Sequence, residues 1–339
     1  MMVGLFSFIL SWILVGLVRW GCFKFHILDI PNARSSHQIP TALMGGIGFV
    51  LASNIGFGIW SILNPPIEWR FVFFLGLGNI LAIVSLIDDM KKLSPLFRFC
   101  MHFLLAVGVM ALGITLPSLE VAFIHFNLGL TTFIFTLIFI IAMINIYNFM
   151  DGIDGYAGGV GLLGSIALAG LFFQQSNGIY VYYTGILSVS ILGFLFWNYP
   201  KAKIFMGDIG SAFLGFIFSG LSILLVKSGI PIIVPVMIFG VFIMDGSITL
   251  IRRIINKEKI WEAHRTHFYQ LLNKSGWSHQ KIIWLEYCHM VICIAMAYFY
   301  QFTSNMGMKS AIVILFLLSF TTKFISIQYF YIKLFPKTN

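Results

Sequence analysis

Residues 128–155 read LGLTTFIFTLIFIIAMINIYNFMDGIDG, an apolar run that ends in a cluster of amides and acids. The apolar part is long enough to cross a bilayer as a helix. Asn148, Asp151 and Asp154 follow at the point where that helix would leave the membrane. Charge beside hydrocarbon is costly and persists mostly where it has a function or a partner. The stretch therefore predicts a membrane-spanning helix that ends in a polar site at the membrane surface.

The composition of the whole chain indicates a polytopic membrane protein. Of its 339 residues, 59% are hydrophobic and only 10% are charged, which is far from the average soluble domain. Apolar windows of spanning or near-spanning length lie at about 3–23, 42–63, 71–87, 99–116, 128–146, 159–173, 179–197, 212–226, 231–250, 282–300 and 310–330. We expect an all-α fold with about eleven transmembrane helices, or ten if a short window does not span. They are expected to form a single membrane domain over residues 1–339, without a separable soluble module.

Lysine and arginine are distributed unevenly between the loops. Fourteen lie in alternate loops, which include the long loop 251–281, whereas the opposite loops carry only Arg70, Lys227 and Lys309. The positive-inside rule then places the N-terminus outside and the C-terminus in the cytoplasm. All seven aspartates fall in or beside these cytoplasmic loops: Asp29, Asp88, Asp89, Asp151, Asp154, Asp208 and Asp245. Since the rule concerns only Lys and Arg, this second asymmetry indicates a shared site on the cytoplasmic face.

The net charge indicates which partners to expect, and the cysteines indicate whether disulfides form. The net charge of +9 is explained mainly by topology and attraction to anionic lipids, with a smaller contribution from attraction of a phosphorylated substrate. No nucleic-acid partner is expected. The four cysteines lie in or beside apolar segments without metal-ligand spacing, so we expect buried thiols and not disulfides.

Three acidic segments combine residues suited to metal or phosphate chemistry. Asp88 and Asp89 follow the third window, and adjacent carboxylates repel each other unless a cation or proton compensates. Asp151 and Asp154 would share one face of a helix or turn, beside glycines whose backbone amides are open to a phosphate. Asp208, in the segment FMGDIGS, lies where the loop after the seventh window ends and the eighth helix is expected to begin. The structural alternatives are a solvated turn for the first two segments and a helix cap for Asp208.

The long loop 251–281 carries a histidine motif and is expected to have helical character from Arg252 to Asn273. There His264 and His267 would share one helix face. No cysteine and no His-Glu-x-x-His pattern accompanies them, so zinc is not favoured. Contact with a phosphate or diphosphate is the preferred interpretation, and an ordinary surface helix is the alternative.

Three further features are less specific. Residues 36–46 contain Pro-Thr and Gly-Gly, which mark a bend that enters the second window. Glu286 lies inside the tenth window and has no partner that the sequence identifies. Asp245 precedes Arg252 and Arg253 by about two helical turns, which favours a salt bridge between them.

Taken together, these segments resemble the polyprenyl-phosphate N-acetylhexosamine-1-phosphate transferase family. The matches run in the family's order from Pro40-Thr41 through Asp88-Asp89, 145–155 and 205–211 to His267, within about residues 30–270. His-Arg-Thr-His followed by Phe-Tyr-Gln looks more like the O-antigen-initiating branch than the triple-histidine muramoyl-pentapeptide enzymes.

The resemblance implies a Mg²⁺-dependent phosphoglycosyl transferase, with Mn²⁺ as an alternative cofactor. It implies transfer of an N-acetylhexosamine-1-phosphate, or of a 6-deoxy relative, from a UDP-sugar to undecaprenyl phosphate with release of UMP. This step would initiate O-antigen or another cell-envelope polysaccharide. The implied location is the bacterial inner membrane, among its lipids, as a multi-pass protein with the active site on the cytoplasmic face. The sugar is left open, and a homodimer is one assembly that the resemblance allows.

The resemblance also implies roles for individual residues. By family position, Asp208 would be the chief metal ligand, and Asp151 would lie beside the same metal. Asp88 would orient or deprotonate the lipid phosphate, with a covalent aspartyl intermediate there as a competing scheme. The implied catalytic set, in which the histidines contact the diphosphate, is Asp88, Asp89, His264 and His267. The implied substrate-binding set is His37, Asn145, Asn148, Asp154, Asn198, Phe205 and Arg265.

Two alternatives come from other classes of protein. An ion-coupled transporter would use intramembrane carboxylates to bind ions or protons, and it predicts acids near the middle of the spans. Here the aspartates lie at the ends of the windows, which favours chemistry at the membrane surface. A lipid-diphosphate phosphatase would require an arginine-rich phosphate pocket, which the acidic clusters fit poorly.

Overall fold

The computed structural model describes residues 2–31, 39–259 and 265–335. Within these ranges nine helices are long and apolar enough to cross a membrane, and one further apolar helix is shorter. This confirms the predicted all-α, polytopic membrane fold. In chain order the helices are α1 (Met2–Lys24), α2 (Gly46–Leu63), α3 (Trp69–Lys91), α4 (Pro95–Ala111), α5 (Thr132–Met150), α6 (Tyr156–Gln174), α7 (Gly178–Asn198), α8 (Asp208–Lys227), α9 (Ile233–Ile238), α10 (Gly240–Ile255), α11 (Phe268–Lys274), α12 (His279–Phe302) and α13 (Met306–Leu334). Two small two-stranded sheets pair β1 (Leu28–Asp29) with β2 (Thr41–Ala42) and β3 (Ser118–Val121) with β4 (Ile124–Asn127).

The sequence windows agree with the helices in position but not always in length. The window 99–116 corresponds to α4, which is the short apolar helix. The window 231–250 is divided between α9 and α10, because the chain leaves the helical conformation at Phe239 (φ −91°, ψ 17°). Hydropathy does not detect such a break. The described part of the chain therefore contains nine long candidate spans and not eleven.

The chain divides into two compact units, each built from apolar helices. The first comprises residues 1–118 and 127–230, and the second comprises residues 119–126 and 231–339. In the first unit α8 is central, since 94% of its apolar window is buried, and it packs against α2, α3 and α5. In the second unit α12 packs against α9, α10 and α13, and α11 packs against α13. The prediction of a single domain over the whole chain stays a prediction, as does the orientation in the membrane.

Close contact between α5 and α8 depends on a glycine. A Cβ added at Gly215 of α8 would lie 2.6 Å from the backbone oxygen of Met143 and 2.8 Å from Cα of Ile144, both in α5. Small residues at helix interfaces allow such close approach in membranes, where packing drives helix association. Gly215 therefore fixes the spacing of the two helices whose ends carry Asn148 and Asp208.

The partner of Glu286 is Lys323 of α13. The Lys323 ammonium lies 2.9 Å and 3.2 Å from the two carboxylate oxygens. Both groups belong to the second unit, and Glu286 is only 2% exposed. A buried charge between membrane helices is usually paired in this way. The sequence did not identify the pair because its members are 37 residues apart.

The four cysteines are free thiols, which agrees with the expectation that they form no disulfides. Cys22 and Cys293 are buried, also as expected. Cys100 and Cys288 are exposed on the surfaces of α4 and α12, so the prediction that they are buried is wrong. Apolar neighbours along the chain do not determine which face of a helix a thiol occupies.

We expect Gly215→Ala to lower the thermal stability of the purified protein. The added methyl would meet backbone atoms of α5, and overpacking of this kind costs about 1–3 kcal/mol. The matched control is Gly185→Ala in α7, where nothing in the described structure lies within 4 Å of an added Cβ. The measurement is the temperature at which half of the detergent-solubilised protein loses its monodisperse size-exclusion peak. Equal values for the two variants would contradict the close α5–α8 contact.

Candidate active site

Five aspartates of the first unit converge where the ends of three helices meet. Asp88 and Asp89 lie in the last turn of α3, and Asp208 is the first residue of α8. Asp151 and Asp154 lie in the short connection between α5 and α6. Direct contacts and mutual electrostatic repulsion link members of the group. The acids that the sequence places in separate loops thus form one cluster.

Asp89 holds the beginning of α8. Its Oδ1 accepts a hydrogen bond from the backbone N–H of Asp208 (3.0 Å), and its Oδ2 accepts one from that of Ile209 (3.2 Å). The first N–H groups of a helix have no partner within the helix, and the helix dipole favours a negative charge at this end. The carboxylate therefore joins the end of α3 to the start of α8 and fixes the position of Asp208.

The residue before this helix must be glycine. Gly207 has φ 77° and ψ 167°, a conformation that is costly for a residue with a side chain. A Cβ at this position would also lie 2.7 Å from Oδ2 of Asp89. The Gly-Asp pair of the segment FMGDIGS is therefore explained by the close approach of the Asp89 carboxylate.

Asn148 holds one oxygen of the Asp208 carboxylate. Its Nδ2 donates to Oδ1 of Asp208 (2.8 Å) and to Oγ of Ser211 (3.0 Å). The other oxygen, Oδ2, lies 3.8 Å from Nη1 of Arg98. Asp208 is thus oriented from α5, with its second oxygen only loosely paired.

Arg98 is a component of the cluster that sequence reasoning missed, because it was considered only as a topology signal. Its Nη1 donates to Oδ2 of Asp88 at 3.1 Å. Oδ1 of Asp88 accepts from the backbone N–H of Leu93 at 2.6 Å. The tight turn between α3 and α4, capped by Ser94, returns the chain so that Arg98 faces an acid ten residues earlier. The signal in the sequence is the Ser-Pro helix start, with Ser94 five residues after Asp89.

Asp151 differs from its neighbours in having no hydrogen-bond donor for its carboxylate among the residues that the structure describes. Burial is the main cause that raises the pKa of Asp151 well above its ordinary value, and repulsion from Asp208, Asp89 and Asp154 raises the pKa further. A cation placed beside Asp151 and Asp208 would relieve this repulsion.

The donor set fits one kind of metal better than another. Across the described ranges, no group of three His, Cys, Asp or Glu side chains is arranged to hold a metal ion, as a structural zinc site would require. Mg²⁺ is usually held by one or two carboxylates together with water and substrate phosphates. Asp151 and Asp208 supply a pair of carboxylates of this kind.

Asp154 and Asn198 tie two loops together. Oδ2 of Asp154 accepts from the backbone N–H of Ala202 at 3.1 Å. Asn198 is 3% exposed; its Oδ1 accepts from Gly155 N–H at 2.9 Å, and its Nδ2 donates to the Ile204 carbonyl at 2.9 Å. These contacts fix the loop after α5 against the loop after α7. The structure thus gives both residues a positioning task, and their predicted contact with substrate stays a prediction.

The backbone of Phe205 pairs with the segment that precedes α2. Its N–H donates to the Ala42 carbonyl, and its carbonyl accepts from Gly45 N–H, both at 2.8 Å. Gly46 N–H donates to the Met206 carbonyl, also at 2.8 Å. The Pro-Thr and Gly-Gly motif therefore supports the loop that leads to Asp208. The predicted stacking of the Phe205 ring on a base stays a prediction.

Three residues of the predicted substrate or catalytic sets are not placed in this cluster. The side chain of Asn145 donates from Nδ2 to the Ile141 carbonyl one turn earlier (2.7 Å). Among the described residues, this is the only hydrogen-bond partner of that side chain. His37 and His264 lie outside the described residues. Their predicted roles therefore stay predictions.

The two remaining predicted residues, Arg265 and His267, belong to the second unit. His267 precedes α11 with φ −62° and ψ 149°, an extended backbone. The expected helical character from Arg252 to Asn273 is confirmed only at the two ends of this range, because α10 ends at Ile255 and α11 begins only at Phe268. The prediction that places His267 on a helix face is therefore wrong.

A second correction concerns Asp245. Its Oδ1 lies 3.0 Å from Nδ1 of His267. Arg253 contacts Glu258 instead, with Nε 2.9 Å from Oε2, and Arg252 contacts Gln328. The predicted salt bridge from Asp245 to these arginines is therefore wrong. The sequence could not show that the chain returns after α10 to place a histidine beside this acid.

Comparison with known proteins identifies the family. The family described as Glycosyl transferase family 4 matches residues 71–226, which include all five clustered aspartates. A protein of Bacillus subtilis named "Probable undecaprenyl-phosphate N-acetylglucosaminyl 1-phosphate transferase" is 30% identical over 283 residues, covering 81% of this chain and 77% of that protein. This chain belongs to glycosyl transferase family 4.

Other relatives have related names. "Undecaprenyl-phosphate alpha-N-acetylglucosaminyl 1-phosphate transferase" of Yersinia pestis is 27% identical over 284 residues, covering 81% of this chain and 77% of that protein. "Phospho-N-acetylmuramoyl-pentapeptide-transferase" of Thermotoga maritima is 31% identical over 250 residues, covering 72% of this chain and 79% of that protein. This family 4 protein is thus a multi-pass membrane enzyme of the phospho-sugar transferase class.

We expect Gly207→Ala to destabilise the protein more than Gly229→Ala. Both glycines have positive φ (77° and 96°), so each substitution carries a backbone cost of about 1–3 kcal/mol. The ψ of 167° at Gly207 adds to that cost, because this combination of angles is adopted almost only by glycine. Only Gly207 has the Asp89 carboxylate against the added methyl, whereas nothing in the described structure lies near Gly229. Thermal unfolding in detergent measures the difference. Equal destabilisation would contradict the contact between Asp89 and the start of α8.

Proposed function

We propose that this family 4 enzyme transfers an N-acetylhexosamine-1-phosphate, or a 6-deoxy relative, from a UDP-sugar to undecaprenyl phosphate and releases UMP. The observation that carries the proposal is the convergence of Asp88, Asp151 and Asp208 with Arg98 where three helices end. Acids at helix ends suit chemistry on phosphates at a membrane surface. An ion-coupled transporter would need acids near mid-span, and family membership also favours the transferase.

The chemical step is a displacement at phosphorus. An oxygen of the lipid phosphate attacks the sugar-linked phosphorus of the donor, a new P–O bond forms, and the bond to the UMP oxygen breaks. UMP leaves with the bonding electrons, so the number of diphosphate linkages is unchanged. The protein contributes mainly by positioning the two phosphates and by stabilising their charge.

Asp208 and Asp151 would hold the divalent cation, Mg²⁺ or alternatively Mn²⁺. When bound, the cation would stabilise negative charge on the donor diphosphate. Asn148 supports this arrangement by holding one oxygen of Asp208, as its 2.8 Å hydrogen bond shows. Asp89 would support the same arrangement, because it holds the start of α8, where Asp208 lies.

Asp88 and Arg98 would receive the lipid phosphate. The Arg98 guanidinium lies between the carboxylates of Asp88 (3.1 Å) and Asp208 (3.8 Å), and it is suited to bind phosphate oxygens. If the Arg98 guanidinium moved from Asp88 to the incoming lipid phosphate, the Asp88 carboxylate would be free of that contact. It could then orient the lipid phosphate or take a proton from it. A covalent aspartyl intermediate at Asp88 is the competing scheme.

The nucleotide would lie beside Asp154, Asn198 and Phe205, with the Phe205 ring against uracil. His267, together with His264, would contact the donor diphosphate and stabilise its charge. The lysine and arginine distribution supports a site on the cytoplasmic face of a bacterial inner membrane. Names of relatives that specify N-acetylglucosamine make its UDP derivative the first donor to test. The product would initiate O-antigen or another envelope polysaccharide.

We expect Mg²⁺-dependent UMP release when the purified chain is incubated with undecaprenyl phosphate and a panel of UDP-N-acetylhexosamines. Asp208→Asn should lower the rate by about 10²–10³-fold while the protein stays folded, because it removes a charge that faces the metal. UMP is measured by coupled assay and the lipid product by mass spectrometry.

The matched control for this experiment is Glu68→Gln. Glu68 precedes the opposite end of α3 and accepts a hydrogen bond from Tyr180 at 2.9 Å. Its loss should change the rate by no more than about twofold, since distant sites act independently. Absence of UMP release with every donor would contradict the proposed reaction. Near-normal turnover by Asp208→Asn would remove that residue from its role.

Metal affinity should rise with pH. The raised pKa of Asp151 means that the metal-free site keeps a proton at pH values where an ordinary aspartate is ionised. A bound cation must displace that proton, so a higher pH lowers the Mg²⁺ concentration needed for half-maximal rate, by up to about tenfold per unit per proton. Asp151→Asn should weaken binding and flatten this dependence. An unchanged slope in the variant would assign the proton to another group.

A further inference from the structure

The second unit contains an acid that the proposed mechanism does not use. Asp245, in α10, is 3% exposed. Oδ1 lies 3.0 Å from Nδ1 of His267 and accepts from Phe268 N–H at 3.1 Å. Oδ2 accepts from Tyr269 N–H at 3.2 Å, and Thr249 Oγ donates to Oδ1 at 3.2 Å. One buried carboxylate therefore meets four polar groups.

These contacts favour a proton on the ring nitrogen of His267 that faces Asp245. Asp245 receives two backbone N–H groups and a hydroxyl, and hydrogen bonds of this kind stabilise an ionised carboxylate. The ring nitrogen that faces it, Nδ1, must then donate. In histidines that are held in this way, the partner of one nitrogen determines the chemistry of the other, Nε2.

The backbone at His267 is also fixed in position. His267 is 3% exposed, and its backbone N–H donates to Oε1 of Gln270 at 3.2 Å. The next residue, Phe268, stacks on Phe324 of α13 with 4.0 Å between ring centroids. Asp245 thus acts on a histidine whose backbone is already anchored, so its own contribution is the orientation and tautomer of the imidazole.

We propose that Asp245 is a positioning residue for phosphoryl transfer, holding the imidazole of His267 with Nδ1 protonated and in one orientation. The inference rests on the proposed function, in which His267 stabilises charge on the donor diphosphate. Outer partners of this type commonly change activity by about 10–100-fold when removed, without contacting the substrate. A purely structural alternative is that Asp245 only caps the start of α11.

The kinetic test compares Asp245→Asn in two backgrounds. In the otherwise wild-type chain it should lower kcat about 10–100-fold with little change in the KM for the donor. In a His267→Gln background it should have almost no further effect, because the group that it positions is gone. Thr249→Val is the matched control: it removes one hydrogen bond to Asp245 but leaves the histidine contact. Thermal unfolding of each variant shows whether it is folded.

A second measurement does not depend on activity. The ¹⁵N shifts of the imidazole nitrogens, recorded by solid-state NMR on histidine-labelled full-length protein in lipid, report the tautomer. The His267 signals are those absent from His267→Gln. We expect Nδ1 to be protonated in the wild type and the tautomers to be mixed in Asp245→Asn.

The outcomes separate the inference from the proposed function. Equal kcat losses in both backgrounds, or an unchanged His267 tautomer in Asp245→Asn, would overturn the positioning role. Normal kcat in His267→Gln would remove the histidine from the mechanism and Asp245 with it. No UMP release by the wild-type chain would instead refute the proposed reaction, while the NMR comparison would still decide whether Asp245 sets the ring.

Discussion

The hydrogen bonds from the first N–H groups of α8 to the Asp89 carboxylate are the contact on which the site in the first unit depends. They join the end of one membrane helix to the start of another. They also stabilise a poorly solvated carboxylate that is repelled by the neighbouring carboxylates of Asp208 and Asp88. Gly207, which has a positive φ and precedes α8, allows the Asp89 carboxylate to approach this closely. Asp208 takes its position from the same contact.

The five acids differ in how far donor groups of the protein stabilise their negative charge. Asp88, Asp89 and Asp154 each receive donors from the protein: a guanidinium, the start of a helix, or a loop N–H. Asp151 receives none within the described ranges, and Asp208 receives one, from Asn148, while its other oxygen lies 3.8 Å from Nη1 of Arg98. An acid that the fold leaves uncompensated is the natural ligand of an added cation. The division therefore supports Asp151 and Asp208 as the metal pair without reference to sequence motifs.

The sequence predicted the apolar helices and the five clustered aspartates, because both follow from features local to the chain. It also grouped Asp245 with those acids, whereas Asp245 contacts His267 in the second unit. Apolar length marks a span, and acids at the ends of spans must meet at a membrane surface. What it missed are contacts between distant segments: Lys323 beside Glu286, and His267 beside Asp245. Arg98 was overlooked although it is near in sequence, because its charge was read only as a topology signal. The break at Phe239 was also missed, since the apolar run continues across it.

Among the described residues, each unit contains an aspartate that accepts hydrogen bonds from the first N–H groups of a helix. Asp89 accepts the first N–H groups of α8, and Asp245 accepts those of α11. In each case the residue at the start of the anchored helix is one with a proposed chemical role, Asp208 or His267. An acid on one helix can place such a residue precisely because the start of a helix offers two unpaired donors with a fixed geometry. Acids in a cluster are therefore not equivalent candidates for chemistry. Those that accept backbone N–H groups at a helix start position other residues, and those without such donors are the ones for which we propose contact with metal or substrate.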